Sequence, residues 1–231
     1  MRKPLTTLAI CFVSLVASFL AIAPPAHAIT DPLLAQQWGI FAIGADRVWA
    51  VTTGKGVTVA VVDSGSGPHP DLADNLLPGR SYFSSVETQD GNDIDTSGHG
   101  SHVAGIIAQV RSNDLGGDGV ATNVEIMALR AVPNGDEYDK DIALAIRYAV
   151  DNGAKVINGS FGKYFSQNKE WVMDAIKYAE SKDVLVVIAA GNESYDLDVT
   201  NKYPNDTYDN SPEYAKNVLI IGALSPSYGS K

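Results

Sequence analysis

The chain has 231 residues, with 27 Asp and Glu against 17 Lys and Arg, 45% hydrophobic residues and a single Cys. That composition excludes a disordered chain and a disulfide framework, and a formal charge of −10 excludes a nucleic-acid partner, which needs clustered Lys and Arg. The length fits one globular domain with a sizeable core.

Arg2 and Lys3 precede an apolar run from Leu8 to Ala23, which Pro24 and Pro25 break before Ala26-His27-Ala28. A basic start, an apolar middle and a small-x-small end make residues 1–28 a secretory signal peptide. Cleavage would leave no stable membrane anchor and an exported chain, extracellular or periplasmic. It would also remove Cys11 and His27, leaving His69, His99 and His102 and no thiol chemistry.

Residues 29–231 then alternate strand and helix. Val57 to Val62 is a β-branched run ending at Asp63-Ser64-Gly65. A helix over His99 to Val110 is entered through Gly98, and a strand covers Val124 to Ala131. Ile142, Ala145, Ile146, Ala149 and Val150 follow helical spacing up to Gly153. Lys155 to Asn158 is a strand, and Trp171, Val172, Ala175, Ile176 and Ala179 mark a helix with Ser166 as its cap. Val184 to Ala189 and Val218 to Ala223 complete the strands, and Glu193 to Ser211 reads as a polar surface loop. Strand and helix in alternation predict a three-layer α/β domain, a mostly parallel sheet with helices on both faces.

Chemistry in such sheets gathers at the carboxyl ends of strands. Asp63 closes the first strand. His99 opens a helix within Asp95-Thr-Ser-Gly-His-Gly-Ser-His-Val-Ala-Gly105, where glycines on both sides permit close approach. An imidazole oriented by a carboxylate is a general base. Asn192, after Ala189-Ala-Gly191, offers an amide to a developing oxyanion. Taken singly, Asp63 reads as a turn former. His99 and His102 could pair on a zinc ion, but no third ligand stands near. His102 fits better as a packed or backbone-bonded helix residue.

Val59-Ala-Val-Val-Asp-Ser-Gly65, Asp95 to Gly105, Val156-Ile-Asn-Gly-Ser-Phe-Gly162 and Ala189-Ala-Gly-Asn192 together resemble the subtilisin-like serine proteases. His69-Pro-Asp-Leu72 and Gly119-Val-Ala121 are also similar, and the likeness runs from about Asp31 to the last residue. The resemblance implies peptide-bond hydrolysis, with Asp63 orienting His99, His99 as base then acid, and Asn192 on the oxyanion. It implies that Ser160, Phe161 and Gly162 pair with substrate backbone. Ala189, Ala190 and Gly191 would floor the primary pocket, whose small residues suit large apolar side chains. It also implies a structural Ca²⁺ held by Asp71, Asn113 and the carbonyls of Leu115 and Gly117.

Two departures accompany it. The family's nucleophile lies in a Gly-Thr-Ser segment that does not occur after Asn192, so the fold is expected to be incomplete at its C-terminus. Asp31-Pro-Leu-Leu-Ala-Gln-Gln-Trp38 follows Ala28 almost at once, which leaves no room for a pro-segment. The alternative function is a catalytically inactive peptide-binding fragment or pseudoprotease.

Overall fold

The computed structural model describes residues 30–82, 94–132, 137–206 and 214–227. Residues 1–28, expected to form a signal peptide, lie outside them. Six strands, β1 (Thr58–Asp63), β2 (Arg80–Ser81), β3 (Glu125–Arg130), β4 (Val156–Gly159), β5 (Leu185–Ala189) and β6 (Val218–Ile221), form one sheet in the order β2-β3-β1-β4-β5-β6. All its pairings are parallel. The helices are α1 (Trp38–Ile43), α2 (Ala45–Val48), α3 (His99–Ala108), α4 (Asp139–Asp151) and α5 (Lys169–Ser181).

Alternation along β1 decides the layering. Val59 and Val61 pack with Leu72, Ala104, Ala108 and Ile126 against α3, whereas Ala60 and Val62 join Ile142, Ile146, Ala149, Met173 and Ile176 of α4 and α5. Both faces of the sheet are therefore covered, as a parallel sheet requires. The chain runs from β1 to the edge strand β2 and through α3 to β3, which lies between them, then returns through α4 to β4 on the other side of β1. Right-handed crossovers in opposite directions put their helices on opposite faces, and they open a crevice at the carboxyl end of β1.

The expected strands and helices are all present, with ends moved by a few residues. Three details differ. Ser166 does not cap α5, which starts after Asn168; its hydroxyl donates instead to Asp139 Oδ1 at 2.8 Å, and Asn168 N–H donates to Asp139 Oδ2 at 3.0 Å. The buried Asp139 carboxylate draws that segment toward α4 and away from the position of a cap. His102 is exposed, and its main-chain N–H donates to Gly98 O at 3.1 Å. The polar stretch after Glu193 is not wholly superficial, because Lys202 and Asn205 are buried; residues 207–211 of it lie outside the described residues. Among the described residues no helix is long and apolar enough to cross a membrane.

Candidate active site

The parallel register lines up the strand ends that carry the chemistry. Val62 pairs with Gly159 and Gly159 with Ile188, so Asp63, Ser160 and Ala189 leave neighbouring strands along one edge. α3 starts above that edge and brings His99 onto Asp63: Nδ1 lies 2.7 Å from Oδ1, across 36 positions of sequence. The carboxylate side chain is 4% exposed and the imidazole 57%. A buried anion therefore grips one nitrogen of a ring whose body faces solvent. Among the described residues Nε2 makes no hydrogen bond.

A small network fixes this pair. Asp63 Oδ1 also accepts the Ser64 N–H at 2.7 Å, and Asp63 Oδ2 is buried without a partner among the described residues. The Ser64 hydroxyl accepts the Gly100 N–H at 2.9 Å and donates to Asp95 Oδ1 at 2.9 Å. Asp95 further accepts N–H donors of Ser97, Gly98 and Ser101 at 2.8–2.9 Å, so it ties down the approach to α3. Burial alone would raise its pKa. The donors from Ser101, Gly98 and Ser64 outweigh burial and hold the pKa at about 2. Asp95 is thus an anion at neutral pH beside a helix N-terminus, where negative charge is favoured. Asp95-Thr-Ser-Gly is an Asx-turn signature, so its positioning role has a signal in the sequence.

The His99–Asp63 pair opens on a cavity of about 280 Å³ lined also by Ser64, Ser97, Val132, Glu137, Ser160 and Phe161. Sequence reasoning missed Glu137. Its Oε1 accepts the Gly162 N–H at 3.0 Å, and burial raises its pKa against the pull of that N–H, Lys163 and Lys202. No local pattern marks it, because its half-buried position arises only when the fold brings the Gly162 N–H onto its carboxylate. Asn192 stands just past β5 on the same edge and is exposed; its N–H donates to Glu193 Oε2 at 2.9 Å. Asn192 does not line the cavity, so the structure brings Asp63, His99, Ser160 and Phe161 together and leaves the Asn192 amide outside that group.

The residues expected to hold calcium cluster at the far end of α3. Asp71 accepts from Asn113 Nδ2 at 2.8 Å and Gln109 Nε2 at 2.9 Å, and Asp31 accepts the N–H groups of Ser112, Asn113 and Asp114. Asp118 is fully buried. Its pKa is raised to about 7 by burial and by Asp31, with Arg111 Nε 3.3 Å from Oδ2. Among the described residues neither Asp118 oxygen accepts a hydrogen bond. Asp118 pairs with Arg111 while the buried carboxylates of Asp31 and Asp71 act on Asp118, and a Cβ on Gly116 would lie 2.3 Å from Asp71 Oδ2. Among the described residues no three acidic, His or Cys side chains form a ligand cluster. An ion here would need the Asn113 amide and main-chain carbonyls as well.

Comparison with known proteins places this arrangement. Thermitase of Thermoactinomyces vulgaris is 34% identical over 84% of this chain and 64% of its own length. The extracellular basic protease of Dichelobacter nodosus is 32% identical over 89% of this chain and 39% of its own. A solved structure titled proteases from Pseudoalteromonas arctica PAMC 21717 superposes with a TM-score of 0.65 at 33% identity, over 71% of this chain and 59% of that one. The chain therefore spans less than two thirds of the length of each. Residues 54–230 match the profile of the Subtilase family, and they include Asp63, His99 and the strand edge between them. A three-layer parallel fold with a His–Asp pair at its switch point, and that match over most of the sequence, assign the chain to the subtilase family.

Proposed function

We propose that the protein is an exported serine endopeptidase to which this chain contributes Asp63, His99 and Asn192. The observation that carries the reading is the 2.7 Å contact of His99 Nδ1 with buried Asp63, opening on a solvent-accessible cavity. Asp63 keeps the proton on Nδ1, so Nε2 is free to take the hydroxyl proton of a serine. The serine oxygen then bonds to the peptide carbonyl carbon, and Asn192 turns its amide to the resulting oxyanion. Collapse breaks the C–N bond as His99 returns the proton to the leaving amine. Water, deprotonated by the same imidazole, hydrolyses the acyl-enzyme.

Substrate would lie extended along Ser160, Phe161 and Gly162, with Ala189, Ala190 and Gly191 beneath its primary side chain. Pairing at Gly162 requires Glu137 to release that N–H. Residues 1–28 would direct export, a reading supported by the word extracellular in a relative's name. Residues 29–231 would form the peptidase portion.

The nucleophile would be the serine of the Gly-Thr-Ser segment that the family resemblance implies; no serine among the described residues is bonded to His99 Nε2. The same observation favours the second reading, a module that binds peptides without cutting them. Labelling of the complete gene product with a fluorophosphonate separates the two. The peptidase reading expects stoichiometric labelling that His99→Ala lowers by at least about 1,000-fold in rate. Absence of labelling, or full labelling of the variant, rejects it.

The acidic cluster supports a structural Ca²⁺ held by Asp71, Asn113 and the carbonyls of Leu115 and Gly117. Bound calcium would supply the positive charge that Arg111 alone does not. Millimolar Ca²⁺ is expected to raise the melting temperature by several degrees and a chelator to reverse it, since a ligand of the native state stabilises by mass action. An unchanged melt in both conditions removes calcium from the account.

A further inference from the structure

The acids Asp63 and Glu137 both line the cavity beside His99, and among the described residues no Lys or Arg does. Asp63 is committed to His99 and to the Ser64 N–H. Glu137 is half-buried and holds a single donor, the Gly162 N–H, on Oε1 at 3.0 Å. Among the described residues its Oε2 accepts no hydrogen bond and its carboxylate forms no ion pair.

Two cations act on Glu137 from a distance, and both are engaged elsewhere. Lys163 Nζ lies 2.7 Å from Asp139 Oδ1 and donates to the main-chain carbonyl of Glu137 at 2.6 Å. Lys202 Nζ donates to Phe161 O at 3.1 Å and to Ala189 O at 2.6 Å. Burial raises the Glu137 pKa further than these cations and the Gly162 N–H lower it. An anion partly stripped of water and short of donors is costly.

Its one donor is also the one that a substrate strand needs. A peptide extended along Ser160 to Gly162 takes the Gly162 N–H for its own carbonyl, so the carboxylate loses that bond as the peptide binds. The cavity of about 280 Å³ that Glu137 borders leaves room for a substrate side chain beside it. A Lys or Arg there replaces the lost N–H by a charge-assisted bond. A neutral side chain leaves the carboxylate short, and an acidic one adds repulsion from both Glu137 and Asp63. Release of Gly162 is therefore offset best by a cationic substrate.

Resting on the peptidase reading above, we infer that Glu137 is a specificity-determining residue, which makes the cleft favour peptides with Lys or Arg among the three residues preceding the one whose carbonyl is attacked. The test uses the complete gene product and quenched peptides of one sequence, in which each of those three residues in turn is Lys, Gln or Glu. At one position or more, Lys is expected to exceed Gln by at least about 10-fold in kcat/KM, with Glu the slowest. Added salt should shrink that ratio, because it screens the pair. Glu137→Gln should bring Lys and Gln together, and Glu137→Asp should keep part of the preference. A residue with a merely structural role would lower all rates alike and leave the ratio unchanged.

Equal rates for Lys and Gln at all three positions in the native enzyme overturn the inference without requiring any variant to fold. A ratio that survives in Glu137→Gln overturns it as well. If no peptide is cut, the peptidase reading fails and binding decides the role of Glu137 separately. Calorimetry with the same peptides should then show tighter binding of a Lys peptide than of its Gln counterpart, a difference lost in Glu137→Gln. Equal affinities overturn the inference.

Discussion

Replacing Asp63 by Asn is expected to lower kcat by about 10⁴-fold, with KM changed far less. The reason lies in the unequal surroundings of the two carboxylate oxygens. Oδ1 takes both the Ser64 N–H and the His99 ring, whereas Oδ2 is buried with no partner among the described residues. An Asn that keeps its oxygen on Ser64 and His99 buries an NH₂ group where nothing accepts it, at a cost of about 1–3 kcal/mol. An Asn turned the other way sets its NH₂ against the Ser64 N–H and forces the His99 proton onto Nε2. That tautomer cannot accept a proton from a hydroxyl. The first orientation keeps the tautomer but withdraws the charge that stabilises the imidazolium. Both routes weaken proton transfer, so the loss falls on turnover. Steady-state kinetics on peptide substrate, together with a thermal melt of the same preparation, measures it. A loss below about 100-fold in a folded variant would show that Asp63 is only a structural acid.

The parts of this site that the sequence disclosed are those in which a residue both ends an element and sits among glycines. Asp63 closes a β-branched run, and His99 opens an amphipathic helix after Gly98. Strand parallelism then forces both to one edge of the sheet. The helices α4 and α5 were legible because their apolar positions recur at helical spacing and fill one core cluster. Short elements left no such trace. Arg80–Ser81 is a strand only because it lies beside Leu129 and Arg130, and Ala45–Val48 is too brief to display a period. Lys202 and Glu137 were opaque for another reason. Each is charged and lies near loop-like sequence, and Lys202 becomes buried, Glu137 half-buried, only through contacts distant in sequence. Ser166 shows the converse error: a residue with the right chemistry for a cap was taken by a nearer, stronger acceptor in Asp139.

Gly100→Ala should damage the protein far more than Gly105→Ala in the same helix. The added Cβ would lie 2.0 Å from Gly65 O and 3.1 Å from Asp63 Cβ and Oδ1. A carbon–oxygen contact needs about 3.3 Å, so the first turn of α3 must retreat by about 1 Å. Retreat opposes the bonds that close this turn on the loop after β1, namely Gly100 N–H to Ser64 Oγ and Ser66 Oγ to Gly100 O. It also carries His99, the preceding residue, away from Asp63. Overpacking of this kind costs about 1–3 kcal/mol, and a misplacement of about 1 Å in a catalytic pair costs about 100-fold in rate. Gly105 provides the control within the same helix, since its Cβ would meet only Gln109 Cγ and Cδ at 3.6 and 3.7 Å. Gly105→Ala is expected to hold or raise the melting temperature, by the helix propensity of Ala, about 1 kcal/mol. Melts and kinetics of the two variants side by side separate close approach from mere helicity. Equal behaviour of Ala at 100 and at 105 would mean that α3 and the β1 loop do not meet as tightly as the Gly65 carbonyl requires.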